Sequence, residues 1–317
     1  MCFHSRISYS DFIRTFTHLE LVHLDSETAR DEPSLRHKTP WNSRAFQGAW
    51  QKGVTAGGCR NNIDTFHINP QLHLILSEME EVVISLNQHS VIEPKVIGFT
   101  AYPVTKNGVD SIGKSFYKKH KSLVNSQYTN NRQNFIPVFQ VCERVPLEQG
   151  GYVILPTTFE PGQESSFTLR VFSSKPIKLR MIDVAPCLIQ PALLQAKGSL
   201  EAKRTGRLKF CDFKDLMVSL KFWQSAFKSH TKERTGILKA ERLRDALEDV
   251  GFRLSTEVVS TLVLRYMRKD GTLRFGDFVS AVLRLSMAFN IFEKKDPLQN
   301  GNIRMTMSEW LKASILC

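Results

Sequence analysis

The residues with the clearest chemical potential lie around four glycines in the last third of the chain. Gly206, Gly236, Gly271 and Gly301 follow one another at intervals of 30, 35 and 30 residues, and each has an aliphatic residue two positions later. A helix-loop-helix calcium site needs glycine at loop position six for a sharp turn, and an apolar residue at position eight pairs with the neighbouring loop. Repeats of this period are typical of stacked supersecondary units. The spacing therefore predicts several helix-loop-helix units with calcium-type loops.

The ligand positions of these loops carry few of the oxygens that calcium needs. Calcium takes about six to eight oxygen ligands, from loop positions one, three, five, seven and nine and from a carboxylate at twelve. Several of these positions hold Lys or Arg, and position twelve of the second loop is Arg242. The side chains that could still offer oxygen are Glu201, Thr205, Asp212, Asp270, Asp277, Asp296 and Asn300. Because a cation inside the site repels the metal, we expect structural loops with no metal or other cofactor, and weak calcium binding is the alternative.

Thiol chemistry is the second possibility that the residue types raise. The six cysteines show no C-x-x-C spacing, which argues against a disulfide framework and a zinc knuckle and favours reduced thiols; they are Cys2, Cys59, Cys142, Cys187, Cys211 and Cys317. A catalytic thiolate needs a positioned base, and His67 is the nearest histidine in sequence to Cys59. No protease signature surrounds any cysteine. We interpret Cys59 and His67 as structural and predict no catalytic residue.

Two kinds of element must hold these loops and thiols in place. Residues 60–190 contain short β-rich runs divided by Gly, Pro and Asn, and Phe167, Leu169 and Val171 alternate with polar residues, which is typical of an antiparallel sandwich with one buried face. From about residue 190 the pattern becomes helical. Apolar residues recur there at three- and four-residue steps, and we predict that this stripe lies in the core; it comprises Phe210, Phe213, Leu216, Met217 and Leu220.

Composition limits the class of protein. The chain has 317 residues, 42% hydrophobic and 23% charged, a globular composition long enough for two or three units. No run approaches the roughly 20 apolar residues of a membrane span, and the N-terminal residues do not read as a secretory signal, so we expect a cytoplasmic protein.

The net charge is +12. The basic stretch at residues 114–121 interleaves Phe116 and Tyr117, which suits an anionic membrane surface, although a solvated basic face is the alternative; no nucleic acid is expected.

Several strings resemble the calpain family of calcium-dependent cysteine proteases. The string WQKGVTAGGCRN at residues 50–61 resembles the junction between the calpain protease core and its β-sandwich. The strings FEPG at 159–162 and FTLRVF at 167–172 resemble the closing strands of that sandwich, and FVSAVLRL at 278–285 resembles part of a penta-EF-hand domain. The resemblance covers essentially the whole chain, allowing for deletions.

The resemblance implies a multidomain α+β fold with three parts. Residues 1–57 are expected to be a short remnant of a papain-like protease core, residues 58–190 a calpain-type antiparallel β-sandwich, and residues 191–317 an all-α, degenerate penta-EF-hand domain. The acidic loop of the family's sandwich is shortened here to the region of Glu78, Glu80 and Glu81. The first of the five expected helix-loop-helix units is missing, which puts calcium regulation in doubt.

The family's nucleophilic Cys and its His and Asn partners lie upstream of the segment that resembles residues 9–12, so no residue of this sequence inherits those roles. We therefore predict a non-catalytic calpain homologue, similar to catalytically deficient calpains of insects, that acts as a regulatory or binding protein. The alternative is a truncated form or partial gene model of a calcium-dependent cysteine endopeptidase. The family also implies a dimer partner, another penta-EF-hand chain, at a C-terminal surface; its expected residues are Phe289, Ile291, Phe292, Trp310 and Leu311.

Overall fold

The computed structural model combines a β-sandwich with a helical C-terminal region. It describes residues 7–17, 41–90, 92–105, 112–127, 140–183, 188–189, 210–231, 236–297 and 300–316. The predicted ligands Glu201 and Thr205 lie outside these residues, and so does the side chain of Asp212. The predicted architecture of β-sheets followed by helices is confirmed at this level.

The first sheet of the sandwich has four antiparallel strands in the order β1-β8-β3-β6. Its strands are β1 (Asn42–Trp50), β3 (Glu80–Gln88), β6 (Gln140–Leu147) and β8 (Ser165–Ser173). The central strand β8 pairs with both β1 and β3. Phe167, Leu169 and Val171 of β8 are fully buried, which confirms the buried face predicted for this strand, and Thr168 and Phe172 on its other face are buried as well.

The second sheet has five antiparallel strands in the order β5-β4-β7-β2-β9. Its strands are β2 (Gln71–Leu76), β4 (Ile97–Val104), β5 (Val124–Gln127), β7 (Gly150–Thr158) and β9 (Lys178–Ile182). The two sheets face each other across one apolar core, which includes Leu74, Ile84 and Leu169. Trp50 lies in this core, where its ring packs 4.5 Å from that of Phe167 and its indole N–H donates to the carbonyl of Pro156 at 3.0 Å.

The outer face of the second sheet carries a smaller core. The chain leaves β1 at Trp50 and crosses this face through residues 51–70, and the short helix α2 (Lys114–Lys119) packs beside it. Phe66, Tyr102 and Tyr117 meet edge to face there, with Phe66 and Tyr117 ring centroids 5.4 Å apart. The segment that contains the string at residues 50–61 is thereby fixed against the sandwich.

Strand β1 extends the sandwich further toward the N-terminus than the sequence analysis expected. Residues 42–50 were assigned to a protease remnant spanning residues 1–57, but nine register pairs with β8 place them in the first sheet. The sandwich therefore begins before the predicted boundary at residue 58. The other described element of that segment is helix α1 (Tyr9–Thr15), which contains no buried residue.

The helical region has its own core. Its helices are α3 (Phe210–Ser229), α4 (Leu243–Asp249), α5 (Thr256–Tyr266), α6 (Phe275–Lys295) and α7 (Met307–Leu316). Two short strand pairs tie the connecting loops together: β11 (Ile237–Lys239) with β13 (Thr272–Arg274), and β10 (Leu188–Ile189) with β12 (Phe252–Arg253). The core is formed by Trp223, Phe227, Leu247, Phe278 and Val282 with their neighbours.

Helix α6 is the one helix in the described part of the chain that is long and apolar enough, by length and composition alone, to cross a membrane. The core helix of a folded domain has the same composition. Phe278, Ala281, Val282 and Leu285 of α6 are buried in the helical core, which accounts for its apolar character.

Helix α3 departs from the sequence prediction. The stripe from Phe210 to Leu220 was expected to lie in the core, yet Phe210, Phe213 and Met217 are 83%, 47% and 40% exposed. The second half of α3 is the part that packs, because Trp223 and Phe227 enter the helical core and Leu220 lies against it. The prediction is wrong for those three residues because helical periodicity identifies a shared face but not the element that covers it.

Candidate functional site

The loop around Gly271 has the backbone shape that the glycine spacing predicts. Gly271 has φ +79° and its N–H donates to the carbonyl of Arg268 at 2.9 Å, while the N–H of Arg268 donates to the carbonyl of Thr272 at 2.9 Å. Leu273, two residues after the glycine, pairs across β13 and β11 with Leu238 of the neighbouring loop, and both are fully buried. The predicted pairing between apolar residues of neighbouring loops is confirmed here.

The carboxylates of this loop are occupied by the protein's own donors. Asp277 Oδ2 accepts from Arg268 Nε at 3.2 Å and from the N–H of Arg274 at 3.0 Å. Burial alone would raise the pKa of Asp277, but these two hydrogen bonds and the charges of both arginines outweigh it and lower the pKa. Asp270 Oδ1 accepts from the hydroxyl of Thr272 at 2.6 Å and from its N–H at 3.1 Å, which also lowers the pKa of Asp270.

The loop around Gly301 is satisfied in the same way. Asp296 is buried, and its two carboxylate oxygens accept from the N–H groups of Asn300 at 3.1 Å and of Gly301 at 2.8 Å. The side-chain oxygen of Asn300 accepts from the N–H of Asn302 at 2.9 Å. Next to this loop, Lys295 donates to Glu309, and this bond is the main reason that the pKa of Glu309 falls to about 2.

The predicted ligands are thus divided between two loops rather than gathered at one centre. Asp270 and Asp277 belong to the loop around Gly271, and Asp296 and Asn300 belong to the loop around Gly301. Among the residues that the structure describes, no group of three or more His, Cys, Asp or Glu side chains could hold a metal ion.

The acidic turn between β2 and β3 is also neutralised from within. Glu80 is buried and accepts from the hydroxyls of Ser173 at 3.1 Å and Ser174 at 2.7 Å. Lys175 pairs with Glu78, and Arg144 pairs with Glu81 at 2.6 Å. Each carboxylate that the sequence analysis singled out in this turn therefore has a donor or a positive partner.

The structure separates Cys59 from His67 chemically. Cys59 is buried, burial raises the pKa of its thiol, and Asn62 Nδ2 lies 3.8 Å from its Sγ. The imidazole of His67 instead donates from Nε2 to Asp245 Oδ1 at 2.9 Å. A buried thiol with a raised pKa and no base beside it forms little nucleophilic thiolate.

The basic stretch at residues 114–121 contributes its aromatic residues to the core rather than to a surface. Tyr117 is fully buried and its hydroxyl donates to Gln71 Oε1 at 2.9 Å, while Phe116 packs on Tyr102. Lys118, Lys119 and Lys121 are exposed. This stretch therefore presents positive charge without exposed aromatic rings.

The junction between the sandwich and the helical region was not predicted from the sequence. A cleft of about 550 Å³ separates them, and charged side chains from both regions line it. Asp245 of α4 accepts from His67 of the sandwich region and pairs with Arg242 at 3.3 Å. Arg242 also donates to the carbonyl of Asp64 at 2.7 Å. The sequence feature that pointed to this junction was Arg242, a cation at position twelve of the calcium-type loop around Gly236.

Further contacts fix the same junction. Asp183, just after β9, accepts from the N–H of Thr256 at 3.0 and 3.1 Å, at the first residue of α5. Gly53 has φ +78°, and a Cβ at this position would lie 2.5 Å from the Cβ of Ala240. Val54 next to it belongs to the helical core. The cleft's charges largely bind one another, so the arrangement suits a fixed joint between the two regions rather than a ligand site.

The expected dimer surface is partly exposed. Phe292, Trp310 and Leu311 are exposed, on α6 and α7. Phe289 instead packs 5.9 Å from Phe252, and Ile291 is half-buried. The exposed part of the predicted surface is therefore smaller than the predicted set.

Comparison with known proteins agrees with this architecture. The family model for the calpain large subunit, domain III, matches residues 46–172, which include most of the sandwich. Calpain-C of Drosophila melanogaster is 38% identical, with 98% of this chain and 54% of that protein covered. Calpain-B of the same organism is 25% identical, covering 98% and 42%, and Calpain-9 of Mus musculus is 28% identical, covering 98% and 54%.

The family-model match shows that the sandwich is of the calpain large-subunit type. The chain belongs to the calpain family. It spans about half the length of the relatives that it matches. The alignment with Calpain-C extends over 379 residues against the 317 of this chain, so the aligned part of Calpain-C contains segments with no counterpart in this sequence.

The junction gives a prediction for Asp245. Replacing Asp245 with Asn removes the negative partner of His67 and Arg242, so the free energy of unfolding at pH 7 should fall by about 2 kcal/mol. Asp249→Asn is the matched control, because Asp249 bonds His230 from a half-exposed position, where a pair contributes about 1 kcal/mol or less. Urea unfolding of both variants measures the difference, and an equal loss in the two would contradict a special role for Asp245.

The same contact has a defined pH dependence. The pKa of Asp245 in the folded protein is below its ordinary value of 3.8, because the bond from His67 and nearby positive charges outweigh burial. Its contribution is therefore present above about pH 4 and is lost as the pH falls through the lower folded pKa. The stability difference between the native chain and Asp245→Asn should shrink below about pH 4. A difference that stayed constant to pH 2 would exclude this linkage.

Proposed function

We propose that this chain is a non-catalytic calpain homologue that acts as a regulatory or binding protein, and that its helical region is a degenerate penta-EF-hand domain. The observation that carries the proposal is the bond between Arg268 and Asp277. It puts a protein cation beside the carboxylate that would otherwise attract a metal.

The EF-hand assignment is supported by the paired loops. Two loops with glycine in the left-handed conformation, at Gly236 and Gly271, meet through the strand pair β11 and β13. Each loop connects helices, and the apolar residues Leu238 and Leu273 face each other at the centre of the pair. This is the arrangement in which calcium-type loops stabilise one another.

Loss of calcium dependence is supported by electrostatics. A calcium ion entering the loop around Gly271 would meet the guanidinium of Arg268, and Asp277 would have to exchange this partner for the metal. Two like charges a few ångström apart repel even with strong screening. The loop therefore keeps its shape through internal hydrogen bonds and has no need of the metal.

The alternative function is a truncated form of a calcium-dependent cysteine endopeptidase. The observation in its favour is the coverage: the chain spans 53% of the Calpain-1 catalytic subunit of Gallus gallus, at 26% identity. Catalysis by a longer form would then require residues beyond those aligned here. The buried thiol of Cys59 and the engagement of His67 with Asp245 favour the non-catalytic function for this polypeptide.

The calcium proposal can be tested by restoring one loop. Two substitutions, Leu298→Asp and Met307→Glu, would give the loop at residues 296–307 the full D-x-[DN]-x-[DN]-G-x₅-E pattern. The native chain should bind no calcium at submillimolar concentration, and the double variant should bind it with a Kd of about 1 mM or below. Isothermal titration of the full chain measures both.

A matched variant separates charge from shape in that experiment. Leu298→Asp with Met307→Gln keeps the size at position twelve but lacks the carboxylate, so its affinity should be at least about tenfold weaker than that of the double variant. Micromolar binding by the native chain would overturn the proposal. Failure of the Glu variant to bind would show that these two missing carboxylates are not what prevents calcium binding, and that the loop backbone or Arg304 at position nine does.

The catalytic alternative can be tested directly on this polypeptide. Because the Cys59 thiol is buried and its pKa is raised, an epoxide-type thiol protease inhibitor should form no adduct with it, and casein should stay uncleaved with calcium present. Mass spectrometry and a casein assay measure the two outcomes. Calcium-dependent cleavage that disappears in Cys59→Ala would establish the peptidase function instead.

The partner expected for the helical region is a second penta-EF-hand chain, and we place it on the exposed residues of α6 and α7. Trp310 and Leu311 are large, exposed apolar side chains of the kind that anchor interfaces. Trp310→Glu should convert dimers to monomers in sedimentation velocity at about 50 μM protein. Leu264→Glu, at an exposed apolar residue of α5, is the control and should leave the dimer intact. A monomeric native chain would contradict this surface.

A further inference from the structure

Helix α3 has an exposed apolar surface that neither the proposed function nor the sequence analysis uses. Its second half is anchored by Trp223 and Phe227 in the helical core. Its first half carries Phe210, Phe213 and Met217, which are exposed to solvent. These three residues are three and four positions apart, so they lie on one face of the helix.

The same face of α3 carries positive charge. Lys214, Lys221 and Lys228 follow one another at seven-residue intervals, which is about two turns, and all three are exposed. With Phe210, Phe213 and Met217 they occupy an arc of about 100°. We call these six residues the basic apolar face of α3. Within the part of the chain that the structure describes, none of the three lysines forms an ion pair with a carboxylate.

Negative charge lies elsewhere on the helix. Asp215 lies about 150° around the helix axis from the centre of the basic apolar face. Lysines and apolar residues that share one helix face can both contact a membrane surface, because a lysine stem runs along the apolar side chains while its ammonium group reaches the headgroups.

We propose that the basic apolar face of α3 binds the surface of an anionic phospholipid membrane. Charge complementarity supports this occupant: the face combines three lysines with three apolar residues, and the net charge of the chain is +12. Anionic lipids attract basic clusters over roughly a Debye length, and apolar insertion then adds to the affinity. The inference does not depend on whether the chain is catalytic.

The way α3 is docked favours a planar surface over a partner that encloses the helix. A partner that encloses a helix needs access to most of its circumference, which a partner that binds only one face does not. Trp223, Ala226 and Phe227 keep one side of α3 inside the helical core. A membrane needs only the opposite side, which is the side that is exposed.

The basic stretch at residues 114–121 is the natural comparison. Lys118, Lys119 and Lys121 are exposed, but Phe116 and Tyr117 of that stretch pack into the outer core of the sandwich. It offers charge with no aromatic residue to insert. The two basic surfaces therefore differ in the property that the proposal requires.

The test is cosedimentation of the full chain with phosphatidylcholine vesicles containing phosphatidylserine at about 30%, at low salt. In the first arm, K214Q/K221Q/K228Q should weaken binding by on the order of 100-fold, about fivefold for each lysine at the surface. The control, K118Q/K119Q/K121Q, removes the same charge and should change binding by less than about threefold. Binding of the native chain should fall steeply in 0.5 M salt.

The second arm tests apolar insertion at constant charge. F213S/M217S should weaken binding by about tenfold or more, because two apolar side chains no longer leave water. The control I92S/L264S changes two residues that are 95% and 81% exposed elsewhere and should bind like the native chain. Circular dichroism of every variant confirms that it is folded.

Several outcomes would overturn the proposal. One is the absence of phosphatidylserine binding by the native chain at low salt. Another is an equal loss in the two lysine variants, which would mean that only net charge matters. A third is a change of oligomeric state in F213S/M217S without vesicles, which would identify a second copy of this chain as the occupant.

Discussion

The pairing of each loop carboxylate with a cation or donor of the same chain is the constraint on which the rest of this structure depends. Asp277 is the clearest case: it is partly buried, and a buried carboxylate needs a positive partner or several hydrogen bonds. Arg268 and the backbone of Arg274 supply both. The same solution recurs in the acidic turn of the sandwich, where Lys175 serves Glu78 and Arg144 serves Glu81. The carboxylates of the calcium-type loops are thus already bound by donors of the same chain.

The junction applies the same principle over a long sequence distance. His67 and Asp245 are 178 residues apart, and their contact joins the sandwich region to the first turn of α4. The position of Arg242 is informative, because it puts a cation at position twelve of the loop while its guanidinium binds a carbonyl of the sandwich region. Gly53 then allows the backbones to approach closely, since no larger residue would fit beside Ala240. One residue therefore places a cation in the loop and also joins the loop to the sandwich region.

Local sequence patterns predicted much of this fold. The alternation in β8 identified its buried face, and the glycine at position 271 with Leu273 two residues later predicted both a left-handed turn and a strand pair. Both patterns involve residues that are only a few positions apart in the sequence. The place of strand β1 in the sandwich was missed because its burial does not alternate cleanly, and because its position in the sheet is fixed by partners 115 to 131 residues away in β8.

The candidate site was predicted less well, for a physical reason. The glycine spacing places Asp277 at a ligand position of the loop. Which donor its carboxylate accepts from depends on the conformation of the Arg268 side chain, which the sequence does not give. The contact of His67 with Asp245 joins residues 178 positions apart, and the cation Arg242 near Asp245 did not indicate which residue of the sandwich region it would meet. Periodicity placed Phe213 and Met217 on one face of α3, and it could not show that the packed part of the helix begins only near Leu220. Which charged side chains pair, and which part of a helix face is packed, depends on the folded chain and not on local sequence.

The distribution of charge connects these observations. Carboxylates in the loops and in the acidic turn are matched by nearby Lys, Arg or backbone donors, and the chain still has an excess of 12 positive charges. These excess positive charges are on residues that pair with no carboxylate. Lys214, Lys221 and Lys228 on α3 are examples among the described residues. On the proposals above, the protein should respond weakly to calcium, because its loop carboxylates already have partners within the chain. It should respond strongly to ionic strength and to anionic surfaces, because its unpaired charge is cationic and exposed. In this argument the sign of the unpaired charge, more than the ancestry of the fold, decides what the molecule can bind.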